Sequence, residues 1–296
     1  MDPVTDLNSI RDFIRFGASQ FRAAGLQFGH GTDNALDEAA WLVLHSLSLP
    51  LDLPEEWWTS RLTPAERSRV EAALRLRIST RKPAAYITRE AWFMGLPFYV
   101  DERVLVPRSP IAELIAAGFS PWVEPDAVHR VLDLCTGSGC IGLATGSVFP
   151  QAEVWLADVS PEALAVARRN ARAHGMEERT RIIRSDVFDG LEDAPPFDLI
   201  VSNPPYVDAG EMAELGPEYR HEPSLGLAAG ADGLDVVRRI LEEARPHLTD
   251  HGVLIVEVGN SQPALEAAFP ELPFVWLEFA GGGQGVFLLT REQLPA

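Results

Sequence analysis

The amino-terminal part of the chain carries apolar side chains at helical spacing. An amphipathic helix is predicted by the apolar period that runs through Leu7, Ile10, Ile14, Ala18 and Phe21. A second helix is predicted from Asn34 to Leu47. A third begins at Thr63-Pro64-Ala65-Glu66, which combines an N-cap, a proline at the first helical position and a capping-box glutamate. Residues 1–89 are therefore predicted to form a helical domain.

The pattern then changes to one typical of β-structure. Aromatic-rich runs flank Gly95-Leu96-Pro97, which predicts a β-hairpin, and we assign residues 90–108 to a connector. From residue 109 to 296, short apolar runs alternate with helical segments, as in a parallel sheet covered on both faces. Strands are predicted at 130–134, 153–158, 181–184, 197–202 and 252–258, with a closing hairpin at 274–279 and 285–289.

A glycine-rich turn follows the first predicted strand of this α/β part. Gly137, Gly139 and Gly142 match the spacing of a dinucleotide-binding fingerprint, which is a weak signal when it stands alone. The next strand ends at Asp158, where a carboxylate is expected to hold the hydroxyls of a ribose. NAD and S-adenosylmethionine both carry an adenosine ribose, so these features leave the two cofactors open.

The tetrapeptide Asn203-Pro204-Pro205-Tyr206 ends the fourth strand and separates the two cofactors. The prolines have no N–H, so the turn offers an amide oxygen, a carbonyl and a flat ring, but few donors. Such acceptors suit a planar substrate whose –NH2 group is held by both hydrogens. Methyl transfer to nitrogen can use this arrangement and hydride transfer cannot, so the turn favours S-adenosylmethionine.

The amino-acid composition narrows the classes of protein to which the chain can belong. The 296 residues are 46% hydrophobic and 23% charged, which is typical of a soluble globular protein large enough for two domains. No apolar run is long enough to span a bilayer, and the opening Met1–Asp6 lacks the pattern of a secretory leader, so we expect a cytoplasmic protein. Cys135 and Cys140 are too few for a disulfide scaffold and lack histidines for a metal site; we assign no metal.

The formal net charge of −18 makes a general nucleic-acid binder improbable, because phosphate contacts need basic residues. The same charge would attract a basic protein substrate, or it keeps the protein dispersed in water. One basic cluster stands out, and it either forms a solvated helix face or touches RNA or an acidic partner. Its members are Arg67, Arg69, Arg75, Arg77, Arg81 and Lys82.

These motifs resemble a known family. The glycine turn that begins at Asp133, taken with Asn203-Pro204-Pro205-Tyr206, resembles the protein-glutamine N(5)-methyltransferases of the HemK/PrmC type. The segment from Phe98 to Ile111 is similar to the PrmB branch, which methylates a glutamine in the third protein of the large ribosomal subunit. The release-factor branch has Pro-Arg-Pro-Asp/Glu-Thr-Glu where this chain reads Pro107-Arg108-Ser109-Pro110-Ile111.

The resemblance implies a fold and a set of roles. The fold is a class I S-adenosylmethionine-dependent methyltransferase, with a Rossmann-like, mostly parallel sheet, a closing antiparallel hairpin, and a helical domain that docks the substrate. Asn203, Pro204, Pro205 and Tyr206 are the expected catalytic turn. Phe98 is expected to close the substrate pocket, and Arg108 and Glu113 are expected either to brace it or to form a plain structural ion pair. The cofactor is expected to be held by Asp133, Thr136, Gly137, Ser138, Gly139, Asp158, Val159, Asp186, Val187 and Asn203.

Three alternatives remain at this level. The same chemistry could act on a peptide-chain release factor. Nucleic-acid amino methyltransferases also use an Asn/Asp-Pro-Pro-aromatic turn, but this chain shows no basic groove beyond its arginine cluster. A ribosome-assembly factor could bind the cofactor without catalysis, although the intact turn and both cofactor aspartates, Asp158 and Asp186, argue against that.

Overall fold

The computed structural model describes residues 6–295, so the opening segment 1–5, on which part of the expected location rests, lies outside it. The chain divides into two compact units. The first takes in the chain up to Glu90 together with Gly216–His221, and the second takes in Ala91–Leu215 and the chain from Glu222 onward. No helix among the described residues is long and apolar enough to cross a membrane.

The first unit is helical, and capping side chains set where its helices begin. Ser9 and Thr63 each form a capping box, with Asp12 and Glu66, and Asn34 caps the second helix. The helices predicted from the apolar period and from the Thr63 signal are therefore confirmed. The bounds are α1 Ile10–Ala23, α2 Ala35–Ser46, α3 Pro64–Thr80 and α4 Ala84–Thr88, with 3₁₀ turns at Glu55–Thr59 and Pro217–His221.

Part of the basic cluster on α3 is internal and does not form a solvated face. Arg77 is 1% exposed, and its Nε donates to the buried carboxylate of Glu38 at 2.7 Å. Arg81 pairs with the buried Glu218 at 2.8 Å. A buried charge is tolerated only when an opposite charge and hydrogen bonds offset its lost hydration. Arg77 and Arg81 therefore hold Gly216–His221 within this helical unit.

A two-stranded sheet formed by β1 Glu90–Phe93 and β2 Leu96–Tyr99 confirms the predicted hairpin. The remaining strands form one sheet, in which helices follow most strands. These strands are β3 Arg130–Leu134, β4 Glu153–Asp158, β5 Thr180–Arg184, β6 Phe197–Ser202, β7 Leu248–Glu257, β8 Val275–Trp276 and β9 Val286–Thr290. The helices are α5 Ile111–Ala116, α6 Cys140–Val148, α7 Pro161–Ala173, α8 Ala209–Glu214, α9 Asp235–Glu243 and α10 Gln262–Ala268.

The strand order is β5-β4-β3-β6-β7-β9-β8. The first five strands are parallel, and β9 lies antiparallel between β7 and β8, so the closing hairpin is confirmed. Side chains alternate between two faces: Val131 and Leu199 belong to one buried apolar cluster, and Leu132 and Ile200 to the other. Apolar packing on both faces explains why these strands are continuously hydrophobic.

The last predicted strand pair differs from expectation in length. The run 274–279 contributes only Val275–Trp276 to the sheet. This short strand lies at the sheet edge, where one side lacks a partner strand among the described residues, and three glycines at 281–283 follow after four intervening residues. Glycine loses more conformational freedom than other residues when it is ordered, so it does not favour extending an edge strand.

Candidate active site at the carboxyl ends of the parallel strands

Strand register brings the predicted motifs together. Leu134 at the end of β3 lies opposite Ala157 of β4 and Ser202 of β6, and Asp158 lies opposite Arg184 of β5. The residues that follow these strand ends therefore share one edge of the sheet, where ligands bind in open α/β sheets.

A cavity of about 230 Å³ opens at this edge. Its walls combine backbone of the glycine turn with apolar side chains and a few polar groups. Seven of the predicted site residues line it: Gly137, Asp158, Val159, Asp186, Val187, Asn203 and Pro205. Cys135 and Val187 both adopt left-handed backbone conformations, with φ of 57° and 52°. Such strain in non-glycine residues clusters at functional sites, because the surrounding structure must offset its cost.

The glycine turn has a shape that side chains would disturb. Gly137 has φ of 55° and faces open space in the cavity wall, so ligand atoms can approach its backbone closely. A Cβ at Gly142 would collide with the side chains of Leu156 and Asp133. The fingerprint glycines are thus needed for two separate reasons, close approach to a ligand and close packing of α6 on the sheet.

Asp133 lies under this turn, away from the cavity. Its side chain is 1% exposed, and Oδ2 accepts hydrogen bonds from Thr136 Oγ1 at 2.6 Å and from Gly142 N at 2.8 Å. Burial raises the pKa of Asp133 to about 7, against the opposing effect of those two donors. Asp133, Thr136, Ser138 and Gly139 therefore shape the turn and do not line the cavity.

Asp158 is the carboxylate that faces the cavity at the end of β4. Its Oδ2 accepts from Gly137 N at 2.9 Å, and Oδ1 accepts from Ser160 N at 2.9 Å. Burial raises the pKa of Asp158, while these backbone donors lower it. Each carboxylate oxygen has a second lone pair, so Asp158 can still accept hydrogen bonds from a diol.

Asp186 and Val187 follow β5 and form another part of the wall. Asp186 is exposed and pairs with Arg239 at 2.8 Å, so an amino group of a ligand would share this carboxylate with the guanidinium. Val187 is 6% exposed, and its carbonyl accepts from Ser185 Oγ at 2.7 Å. This bond supports the left-handed backbone that places Val187 in the cavity wall.

The turn that begins at Asn203 is fixed by hydrogen bonds at its Tyr206 end. Tyr206 donates its hydroxyl to Glu257 Oε1 at 3.0 Å, and its carbonyl accepts from Ser261 Oγ at 2.7 Å. Ser109 also donates to Glu257, at 2.6 Å, and burial raises the pKa of this carboxyl. The Asn203 amide, by contrast, lines the cavity and makes no hydrogen bond with any of residues 6–295.

Three predicted pocket residues lie elsewhere. Phe98 is fully buried in the apolar core against the ring of His174, so the prediction that it closes the pocket is wrong. Arg108 and Glu113 do not pair with each other. Glu113 accepts from the backbone N–H groups of Ala280 and Gly281, and Arg108 forms a two-pronged pair with Glu222 at 2.6 and 2.7 Å.

Two carboxylates near the cavity, Glu222 and Glu257, were not among the predicted site residues, although both lie in stretches that resemble the PrmB branch. Glu222 is 5% exposed and, besides Arg108, accepts from the backbone of Val106 at 3.0 Å. It thus joins the connector to the segment whose Pro223 and Leu225 line the cavity. Glu257 could have been noticed as a carboxylate at the end of the buried strand β7. Its partner Tyr206 lies in the turn after the neighbouring strand β6.

The cavity fits an adenosine-bearing cofactor with a methionine chain. It joins an open glycine backbone, a carboxylate placed for a ribose, the apolar surface of Val159 and Val187, and an amide acceptor in one continuous wall. This sheet order and site define the class I S-adenosylmethionine-dependent methyltransferases, and the chain is such an enzyme.

Comparison with known proteins identifies the family within that class. The methyltransferase small domain family model matches residues 120–215. A ribosomal protein uL3 glutamine methyltransferase of Neisseria meningitidis serogroup B is 53% identical over 98% of this chain and 95% of its own length. One from Burkholderia pseudomallei is 50% identical over 99% of this chain and 97% of its own length. The chain therefore belongs to the ribosomal protein uL3 glutamine methyltransferase family.

A solved structure supports the fold alone. The catalytic domain of hMettl16, in complex with the MAT2A 3′UTR hairpin 6, aligns with a TM-score of 0.53 over 77% of this chain and 82% of that chain. Its sequence identity is 15%, so the match concerns the arrangement of strands and helices and not the substrate.

The raised pKa of Asp133 predicts a specific pH dependence of stability. Between the unfolded value near 3.8 and the folded value of about 7, the folded chain binds the extra proton, so this residue makes the free energy of unfolding fall as pH rises. We expect the difference in unfolding free energy between wild type and Asp133→Asn to change steadily from pH 4 to 7. Denaturant titrations at fixed pH measure it, and a difference independent of pH would contradict the buried-acid interpretation.

The position of Asp158 predicts a loss of cofactor affinity on substitution. We expect Asp158→Ala to weaken binding of S-adenosylhomocysteine about tenfold or more in calorimetric titration, because charge-assisted hydrogen bonds to a ribose are removed. The control ligand is the 2′,3′-dideoxy analogue, for which the penalty should be much smaller. An equal penalty for both ligands would mean that Asp158 acts only by holding Gly137.

Proposed function

We propose that this chain transfers a methyl group from S-adenosylmethionine to the side-chain amide nitrogen of a glutamine in ribosomal protein uL3. The observation that carries the proposal is the Asn203 amide, which faces the cavity without a hydrogen-bond partner among the described residues. It stands beside two prolines that cannot donate and directly after a strand that borders the glycine turn. The glutamine methyltransferase activity on uL3 of the relatives with 53% and 50% identity supports the same chemistry and substrate.

The chemical difficulty lies in the substrate. A carboxamide nitrogen is a poor nucleophile because its lone pair is delocalised into the carbonyl. Bound S-adenosylmethionine supplies an electrophilic methyl group. The Asn203 oxygen and the Pro204 carbonyl would accept the two N–H bonds of the glutamine amide and so aim the nitrogen lone pair. The same acceptors stabilise positive charge that develops on nitrogen, so they act more strongly in the transition state than in the ground state.

Tyr206 contributes to the proposed site because its ring is held in one position. Its hydroxyl is bound to Glu257, its carbonyl to Ser261, and a Cβ at Gly259 would collide with its ring. In the proposed complex this ring stacks on the plane of the substrate amide. The bonds that hold Tyr206 also hold Pro204 and Pro205, whose φ angles are already restricted. No side chain of tuned pKa needs to remove a proton, because a nitrogen that has gained positive charge loses its proton readily to water.

The net charge of the chain supports a proposal for its partner, and the position of the cavity supports one for its place of action. A chain with a net charge of −18 would attract a basic ribosomal protein and repel RNA phosphates, so we propose uL3 itself as the direct partner, without nucleic-acid contact. Methylation during ribosome assembly in the cytoplasm is part of this proposal, since the target side chain must reach a cavity at the sheet edge. A release factor remains the second candidate, because the site chemistry would be the same.

Substitution at Asn203 tests the acceptor mechanism. We expect Asn203→Ala to reduce methyl transfer by two or more orders of magnitude while S-adenosylhomocysteine affinity changes only a few-fold, because loss of a preorganised hydrogen-bonding group costs about 10²–10³ in rate. Asn203→Asp keeps an acceptor oxygen at this place, so we expect it to retain more activity than Asn203→Ala. Near wild-type turnover by Asn203→Ala would refute the mechanism.

A side-by-side assay tests the substrate. Labelled S-adenosylmethionine is offered with unassembled uL3, a peptide-chain release factor or a ribosomal RNA fragment, and the labelled residue is mapped by mass spectrometry. We expect label on a glutamine of uL3 alone. Label on the release factor would keep the chemistry and reject the substrate, and label on RNA would reject both the partner and the charge argument.

A further inference from the structure

One charged side chain in the cavity wall has no role in the site described so far. Arg103 lines the cavity together with Val104 and Leu105. Among the described residues that form the wall, Arg103 alone is cationic, while Asp158 and Asp186 are acidic. In a chain with a net charge of −18, a single arginine at a ligand cavity is informative, because no other described wall residue offers a positive charge to an anionic group of a ligand.

The guanidinium of Arg103 is held in place before any ligand binds. Its Nε and Nη2 donate to the two carboxylate oxygens of Asp101 at 2.8 and 2.6 Å. Tyr99 donates its hydroxyl to the same carboxylate at 2.8 Å. These bonds, led by the one to Arg103, lower the pKa of Asp101 to about 2, so the pair stays ionised near neutral pH. The pair uses two of the three guanidinium nitrogens, and a planar five-donor fork can serve a second carboxylate.

The arginine is connected to the glycine turn by a short series of hydrogen bonds. The Asn170 side chain accepts from Tyr99 N at 2.8 Å and donates to Tyr99 O at 3.0 Å. Its Nδ2 also donates to Ser138 O, within the glycine turn, at 2.8 Å. On the same helix, the guanidinium of Arg169 lies 3.4 Å from the centre of the Tyr99 ring. The segment that carries Arg103 is thus tied to the turn, whereas Asp186 stands at the end of β5, two strands away from β3.

From this geometry we propose that Arg103 binds the α-carboxylate of the methionine part of the cofactor. The carboxylate is the one full negative charge on S-adenosylmethionine, and Arg103 is the cationic side chain in the wall that also contains Asp158 and the open backbone of Gly137. Arg103 is then a binding residue that places the chain leading to the sulfur, and Asp101 and Tyr99 position its guanidinium. The inference rests on the proposed function only through the cofactor, and not on the identity of the methylated protein.

Paired ligands test this directly by calorimetric titration, with no turnover needed. One ligand is S-adenosylhomocysteine, and the other is its decarboxylated form, which lacks only the carboxylate. We expect Arg103→Gln to weaken binding of S-adenosylhomocysteine about tenfold, as for loss of a partly exposed charge-assisted pair, and to change binding of the decarboxylated ligand less than twofold. Arg103→Lys should recover part of the loss for S-adenosylhomocysteine alone.

The control variant is Arg172→Ala, which removes one positive charge from an exposed pair with Glu177 outside the cavity. Affinity of that variant for both ligands should match wild type, which separates a local bond from the overall field of the protein. Circular dichroism melts establish that each variant is folded. An equal loss for both ligands in Arg103→Gln, or no loss for either, would overturn the proposal. Failure of uL3 methylation with this ligand pattern intact would reject only the proposed substrate.

Discussion

The candidate site depends on one buried carboxylate. Asp133 is the last residue but one of β3 and is 1% exposed, and its Oδ2 accepts hydrogen bonds from both limbs of the glycine turn, at Thr136 and Gly142. Because an unpaired polar group at this depth would be costly, the turn must bring both donors to it. That requirement explains why Gly142 has no side chain. It also sets the course of the turn, so that Gly137 directs its N–H to Asp158 on the neighbouring strand.

Two further polar contacts connect the glycine turn to the rest of the cavity wall and fix its position. Asn170 on α7 bonds both to the turn, at Ser138, and to the backbone of Tyr99 at the end of β2. The pair of Arg108 with Glu222 joins the same connector to the segment that follows the catalytic turn. The wall therefore consists of pieces distant in sequence that are fixed by buried hydrogen bonds, and such bonds specify a unique arrangement more than they add net stability.

The sequence predicted features that depend on local chemistry. Capping boxes, strand runs and the turn Asn203-Pro204-Pro205-Tyr206 follow from neighbouring residues, and the parallel sheet covered on both faces follows from the alternation of strands and helices. Contacts between residues far apart in sequence could not be predicted in this way. Arg108 is 114 residues from Glu222, and nothing in the spacing favours that partner over Glu113. The polar pattern of its helix predicts that Arg77 lies at the surface. It is buried instead, because it forms ion pairs with Glu38 and Glu218. Phe98 is an aromatic residue of the type that lines pockets, but the alternation of side chains along β2 directs it into the apolar core.

Rigidity and charge at the site follow from the chemistry it must support. A neutral amide brings no charge by which an enzyme could attract or activate it, so orientation is the main means of raising its reactivity. Glu257 and Ser261 fix Tyr206, the prolines restrict the backbone before it, and Asn203 faces the cavity with its amide oxygen unused among the described residues. A cationic cofactor, in turn, is attracted by Asp158 and Asp186 but gains no fixed direction from them. One anchored arginine in the same wall gives the carboxylate of such a molecule a partner of its own, and the partly exposed ion pair with Asp101 keeps that arginine in place.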